Sequence, residues 1–422
     1  MGESTFVNKN RMAAPAARPR RTEKAGVDWP LLGVTMALTL FGLLMIYSAS
    51  PKFVQLTVEG EADGSYYMVR QAGWLVVSLI AAFVASRFPY RFYQRLTVPM
   101  MGVTIVMLII VAALQDTTFG SNRSVLGGSI RPSELAKLVI LIYVSVWLNA
   151  KRDVLNDIFL GLVPLIAILG ITAGLILLQP DISAAITIVM LGGVLFFLAG
   201  GAWRQIGMTV AAAGLFGWVV VNIFPTGIER IKTYLTGLNN PLQAHYHVQR
   251  SLEAVINGGL FGVGIGHGTT KFTGLPVPTT DSIFAVIAEE MGLIGAGLVI
   301  LGYVILLWRG LAIANRAPDK LGSLLASGIT VWIVIEAMLN MAVMVNLLPQ
   351  AGNALPLISY GGSSLLVTMV AIGILMNIAQ TKGETKSKQG GGTFGAVVDL
   401  RWRDRRRGVS RSGNLSGPRQ RS

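Results

Sequence analysis

The sequence predicts an all-α polytopic membrane protein. Of its 422 residues, 52% are hydrophobic and only 13% are charged, and a soluble protein of this length needs more charge to cover its surface. Several apolar runs reach about 18–22 residues, the length that crosses roughly 30 Å of hydrocarbon. These runs are continuous rather than alternating in polarity, which excludes a transmembrane β-barrel.

About ten apolar runs are long enough to be transmembrane helices. Their predicted bounds are 29–49, 71–87, 96–114, 132–149, 158–178, 182–200, 206–224, 283–308, 323–348 and 362–380. Lys and Arg concentrate in the cytoplasmic loops of membrane proteins, and a cytoplasmic N-terminus places most of the loop Lys and Arg inside. An even number of spans then makes both termini cytoplasmic.

Two polar tails flank this hydrophobic body and carry much of the formal net charge of +14. Residues 1–28 are predicted to be a basic cytoplasmic tail, and residues 381–422 a second, disordered one. Charge in this position indicates positive-inside orientation and attraction to anionic membrane lipids, not nucleic-acid binding. The absence of cysteine excludes disulfides and thiolate metal sites.

A long connection, residues 225–282, joins the seventh and eighth predicted spans on the predicted extracytoplasmic face. A connection of this length is usually functional or disordered. Here "VQRSLEAVI" (248–256) predicts a short amphipathic helix, and "GLFGVGIG" (259–266) predicts a close-packed glycine segment. We expect an ordered cap on the membrane surface. The glycine run lacks the strand–turn–helix context of a nucleotide-binding fingerprint.

Three carboxylates stand where this connection enters the eighth span. Asp281 falls at the predicted start of the helix, where it is either an N-cap or a single catalytic base at the mouth of a polar cavity. Glu289 and Glu290 lie about 12 Å further along, where an ionised group costs several kcal/mol unless it faces water or a partner. That distance excludes a glycosidase-type pair of carboxylates at about 5–10 Å.

Three other motifs carry candidate site residues. In "RPSELAKL" (131–138), Glu134 and Lys137 share a helical face and either join two spans or shape a polar substrate site. Asp181 follows "QP" between the fifth and sixth spans, as an N-cap or a site residue. Ser359 and Tyr360 open "SYGGSS" before the last span, where glycines permit a re-entrant turn or a broken helix.

Six basic residues on the predicted outer face could together neutralise a phosphate-bearing lipid head, although each one alone is more typical of a solvated or interfacial charge. They are Arg123, Arg131, Arg230, Lys232, Arg250 and Lys271. His245 and His247 form a His-x-His pair without a third ligand, which is a weak metal signal, so no protein metal site is predicted.

Taken in order, these motifs resemble the SEDS family of polytopic peptidoglycan glycosyltransferases, which includes FtsW, RodA and a sporulation relative. The resemblance covers residues 29–380 and rests on "GLLMIYSAS" (42–50), "RPSELAKL", "QPD", "GGLFGVGIGHG" (258–268), "TTDSIFAVIAEEMGLIG" (279–295) and "LPLISYGGSSLL" (355–366). The chain departs from the family's usual pattern at Ser124, where Trp is usual, at Arg131, where Gln is usual, and at Ser282, where Phe is usual.

The resemblance implies polymerisation of lipid II at the outer face of the bacterial cytoplasmic membrane, with the division-type FtsW favoured over the elongation-type RodA. Asp281 corresponds to the family's catalytic Asp, while Glu134 and Lys137 correspond to residues that shape its central cavity. The implied partners are a class B penicillin-binding protein and other division or elongation proteins. Arg or Lys, or a divalent cation such as Mg²⁺ or Mn²⁺, would neutralise the undecaprenyl diphosphate that leaves.

Two other functions stay open from the residues. A lipid II flippase would use the same polar cavity but needs alternating gates and, ideally, inverted repeats, of which we find no sign. A non-enzymatic scaffold would tolerate neutralisation of every acidic residue.

Overall fold

The structure is a computed structural model that describes residues 26–50, 65–113, 131–179, 181–223 and 225–381. Arg123 and most of both predicted tails lie outside these residues. Within the described residues the fold is helical, as predicted. The α-helices are α1 (Trp29–Ala49), α2 (Tyr66–Arg87), α3 (Tyr90–Ala113), α4 (Pro132–Ala150), α5 (Val163–Leu177), α6 (Ile182–Ala199), α7 (Trp203–Ile223), α8 (Pro225–Asn239), α9 (Tyr246–Gly258), α10 (Ile283–Arg316), α11 (Lys320–Met344) and α12 (Gly362–Gln380).

Nine helical segments in the described part of the chain are long and apolar enough to cross a membrane, which makes the chain a multi-pass membrane protein. They are α1 to α6, α10, α11 and α12, with α5 extended at its start by a π-helical turn, Ile158–Leu162. The seventh predicted span, 206–224, lies on α7, which is a helix of 21 residues but is not among these nine.

The buried centre of the helical body consists of α11, α12 and α4, while α2 and α3 are the most exposed spans. Close approaches rather than large side chains set some of the packing. A Cβ on Gly42 of α1 would lie 2.5 Å from the Cα of Ile358, so only glycine lets α1 pack against the segment before α12. The "SYGG" stretch is therefore fixed on one side by α1.

The connection 225–282 contains two helices. The predicted amphipathic helix is confirmed as α9, and α8 is an additional helix, which the sequence analysis did not predict within this connection. Hydrogen bonds join α8 to the segment after α11: Tyr234 Oη donates to Leu347 O at 2.9 Å, and Asn346 Nδ2 donates to Gly237 O at 3.3 Å.

The glycine segment after α9 packs into a break in α10. Gly292 has φ 66° and ψ −169°, outside the helical region, and a Cβ there would overlap the carbonyl oxygen of Leu260. Around this break the two backbones pair: Val263 N donates to Glu289 O at 3.0 Å, and Leu293 N donates to Gly259 O at 2.9 Å. These bonds satisfy peptide groups that the interrupted helix leaves free, and they confirm the predicted close-packed glycine segment.

Candidate functional site

Asp281 lies two residues before the first residue of α10, at the end of the connection 225–282. The N-cap of α10 is Ser282, so the interpretation of Asp281 as an N-cap is wrong. Asp281 itself is half-buried rather than enclosed. This placement leaves its carboxylate compatible with a role in chemistry.

The backbone that carries Asp281 is held by three separate donors. Three consecutive carbonyl groups, those of residues 279–281, each accept one hydrogen bond. The donors are Tyr360 N at 2.9 Å, Ser359 Oγ at 2.7 Å and Asn340 Nδ2 at 2.8 Å, in that order. The "SYGG" segment and α11 thus fix the position of the Asp281 backbone from two sides.

Both segments that meet at Asp281 contain a non-glycine residue with positive φ. Val277 has φ 46° and Leu357 has φ 70°. Residues with β-branched or bulky side chains avoid this left-handed conformation. The carbonyl of Val277 accepts hydrogen bonds from the N–H groups of Thr280 (3.1 Å) and Ser282 (3.3 Å), which stabilise this turn. Strained backbone of this kind clusters at functional sites.

A hydrogen-bonded chain connects α9 to the same turn. His247 Nε2 contacts Ser282 Oγ, and Ser282 Oγ donates to Pro276 O at 2.6 Å. On the other side of the ring, Gln350 Nε2 lies 2.9 Å from His247 Nδ1. Burial, followed by the charge of His245, lowers the pKa of His247 to about 4. His247 is therefore a neutral hydrogen-bonding group, which the sequence did not indicate.

Glu134 and Lys137 form the predicted pair on α4, with Lys137 Nζ 2.8 Å from Glu134 Oε2. The ammonium group also contacts Glu336 Oε1 of α11, and the side chains of Lys137 and Glu336 are each 5% exposed. Sequence reasoning missed Glu336, although a carboxylate inside a span was a usable signal. This group of two carboxyl groups and one ammonium group joins the two central helices.

Asp181 is the N-cap of α6, as one of the two interpretations predicted. Its Oδ1 accepts from Ala184 N at 3.3 Å, and its Oδ2 accepts from Ser133 Oγ of α4 at 3.0 Å. The residue is buried and links α6 to the start of α4. Its role in the described contacts is structural.

Glu289 and Glu290 are both buried and both partnered. Glu289 accepts hydrogen bonds from Thr269 N at 2.9 Å and from Thr270 N at 3.1 Å. Glu290 pairs with Lys271, whose Nζ lies 2.5 Å from Oε1, and the two side chains are 1% or less exposed. The interpretation of Lys271 as a solvated, phosphate-neutralising cation is therefore wrong, because a buried carboxylate requires this charge.

The remaining predicted cations have different surroundings. Arg250 pairs with Glu253 of its own helix at 2.7 Å, and Arg230 Nη1 donates to Gln350 O at 3.4 Å. Arg131 and Lys232 are exposed. Arg131 N donates to Ser363 Oγ at 3.2 Å, which places Arg131 at the same end of the helical body as the "SYGG" segment. Exposed charges in this position remain available to a ligand.

Among the residues that the structure describes, no three His, Asp or Glu side chains form a group that could hold a metal ion. A divalent cation at the leaving diphosphate would therefore have no ready set of such ligands in the described part of the chain. Its participation stays a prediction.

The comparisons with known proteins agree with one another. A family model named for FtsW, RodA and SpoVE and described as "Cell cycle protein" matches residues 29–384. The "Probable peptidoglycan glycosyltransferase FtsW" of Trichlorobacter lovleyi is 36% identical over 360 residues, which cover 84% of this chain and 93% of that protein. "Stage V sporulation protein E" of Bacillus subtilis is 34% identical over 364 residues, covering 85% and 98% respectively.

Solved structures share the fold. A chain from a structure described as "Structural coordination of polymerization and crosslinking by a peptidoglycan synthase complex" has a TM-score of 0.69 and 26% identity, covering 84% of this chain and 98% of that chain. The rod shape determining protein RodA of Thermus thermophilus has a TM-score of 0.61 and 25% identity, covering 85% and 98%.

Proposed function

Because this chain belongs to the FtsW, RodA and SpoVE family, we propose that it is a peptidoglycan glycosyltransferase that polymerises lipid II in the bacterial cytoplasmic membrane. Relatives named peptidoglycan glycosyltransferase and the solved neighbours support this activity. The assignment of the site rests on Asp281, whose backbone is held by the three hydrogen bonds to the carbonyl groups of residues 279–281. The division-type role is the better match, since FtsW names recur among the relatives.

Asp281 acts in this proposal as the general base. Its carboxylate removes the proton from the 4-hydroxyl of the acceptor N-acetylglucosamine as that oxygen attacks the anomeric carbon of the donor N-acetylmuramic acid. The bond from that carbon to undecaprenyl diphosphate breaks with inversion, and the lipid diphosphate leaves with the electron pair. A correctly placed base contributes about 10²–10⁴-fold to such a step.

The support of the Asp281 backbone matters because catalysis depends on placement before substrate arrives. Donors to residues 279–281 come from the "SYGG" segment and from α11, and this support of the backbone before substrate binds is consistent with the proposed role. Arg131 and Lys232, exposed at the surface, are the candidate cations for the departing diphosphate. Lys271 is unsuited to this task because its ammonium group is paired with buried Glu290.

The proposed partner is a class B penicillin-binding protein, which would crosslink the new glycan strands. The similarity to a chain of a peptidoglycan synthase complex that coordinates polymerisation and crosslinking supports this pairing. Cytoplasmic termini follow from the distribution of basic residues and belong to the same proposal.

The experiment uses purified protein in detergent, lipid II as the substrate, and polymer length on gels as the measurement. Wild-type protein should form glycan strands, whereas a flippase or a scaffold would form none. Asp281→Asn should lower the rate by about 10²–10⁴-fold with an unchanged elution profile and melting temperature. Asp153→Asn, at a side chain that is 88% exposed, is the matched control and should polymerise normally. Near-normal polymer from the Asp281 variant would remove this residue from the role of base.

A further inference from the structure

The hydrogen bonds between α9 and the start of α10 have one consistent direction. Pro276 O can only accept, so the Ser282 hydroxyl donates to it at 2.6 Å. The Ser282 oxygen is then the acceptor for the N–H at His247 Nε2. His247 Nδ1 carries no proton in this tautomer and accepts from the Gln350 amide at 2.9 Å. Both ring nitrogens of His247 and the Ser282 hydroxyl group are thereby hydrogen-bonded.

This series of hydrogen bonds closes the strained turn that precedes Asp281. The Ser282 hydroxyl returns to Pro276, one residue before Val277, whose φ is 46°. Ser282 is the N-cap of α10, yet its side chain makes no capping hydrogen bond. Its hydroxyl group instead donates a hydrogen bond to Pro276 O within the turn and accepts one from His247. Loss of the contact would leave a strained turn with fewer restraints.

The restraints on Asp281 therefore come from two directions. Ser359 and Asn340 hold the carbonyl groups of Thr280 and Asp281 from the side of the helical body. His247 holds the following residue, Ser282, from α9. A displacement of α9 would pull on Ser282 and so turn the adjacent carboxylate.

We propose that His247 and Ser282 are positioning residues for Asp281, and that they couple the placement of α9 to the rate of glycosyl transfer. This inference rests on the proposed role of Asp281 as the base. The pair is a feature of this chain, because the resemblance leads one to expect Phe where Ser282 stands. A phenyl group cannot accept the His247 N–H or donate to Pro276.

The test measures kcat and KM for lipid II with purified full-length variants in detergent, together with melting temperature. His247→Ala and Ser282→Ala should each lower kcat about 10–100-fold with KM within about twofold, because a base misplaced by about 1 Å loses up to roughly 10²-fold in rate. The double variant should be no slower than the slower single variant, since both changes break the same series of hydrogen bonds. His267→Ala, at an exposed histidine, is the matched control and should retain wild-type kcat.

His247→Gln provides the rescue. The glutamine amide can donate to Ser282 through Nε2–H and can accept from Gln350 through Oε1. This variant should stay within about threefold of the wild-type kcat, whereas a purely space-filling role would be restored equally well by His247→Leu. Equal kcat values for the Gln and Leu variants would overturn the positioning role.

The outcomes separate the inference from the function on which it rests. A wild-type protein that forms no polymer contradicts the proposed function itself. An active wild type with unchanged kcat in Ser282→Ala contradicts only the inference, as does a change confined to KM. If His247→Ala fails to fold, the comparison of Ser282→Ala with wild type still decides, because that change removes a single oxygen atom.

Discussion

The charged group formed by Glu134, Lys137 and Glu336 allows a prediction with a defined order of effects. In this buried group, two carboxyl groups share one ammonium group. Lys137→Met leaves two neighbouring buried carboxyl groups without their cation, whereas Glu336→Gln leaves the 2.8 Å pair of Lys137 with Glu134 intact. Removing the shared partner of buried charges costs about 3–5 kcal/mol. Removing one charged hydrogen-bond acceptor costs about 1.5–3 kcal/mol.

Thermal unfolding in detergent, followed by loss of the monodisperse elution peak, measures this order. Wild type should melt at the highest temperature, Glu336→Gln lower and Lys137→Met lowest. Lys232→Met, at an exposed position, is the matched control and should melt with the wild type. A Lys137→Met protein that melts at or above the temperature of Glu336→Gln would refute the assignment of Lys137 as the shared counter-ion. Lost polymerisation with unchanged melting would instead indicate direct contact with substrate.

Two further predictions concern backbone and pH. Gly292→Ala should sharply lower the melting temperature, because a Cβ at φ 66° would overlap Leu260 O. The control Gly297→Ala, whose added Cβ would meet open space, should leave the melting temperature unchanged. Equal melting temperatures for the two variants would contradict the break in α10. His247 has a folded-state pKa of about 4 against 6.5 unfolded, so the unfolded chain binds more protons between these values and stability should fall, by up to about 3 kcal/mol, as pH drops from 6.5 to 4. His247→Gln should show a flatter pH dependence of the melting temperature, and an unchanged slope would contradict the lowered pKa.

The sequence predicted those features that depend on neighbours along the chain. The Glu134 and Lys137 pair follows from a spacing of three residues on one helix. The capping role of Asp181 follows from its position before an apolar run. The helix α9 follows from amphipathic spacing, and the glycine segment after it follows from the need for close backbone approach.

Features that depend on distant parts of the chain were missed or misassigned. Glu336 lies 199 residues from Lys137, and periodicity alone does not show which span faces which. Lys271 was predicted to be a phosphate-neutralising or solvated cation, because its partner, Glu290, is reached only when the glycine segment folds back onto α10. Helix boundaries are uncertain by a few residues, which suffices to exchange Asp281 and Ser282 as the N-cap.

The interruption of α10 at Gly292 has a consequence for adaptation to the lipid environment. Backbone pairing ties the glycine segment to α10 on both sides of Gly292, at Glu289 and at Leu293, and the longer stretch then continues into the apolar body. Bilayers differ in thickness by a few Å, and spans respond by tilting. One inserted residue before position 291 would rotate Glu290 by about 100° away from Lys271, so length variation should be tolerated only beyond the interruption.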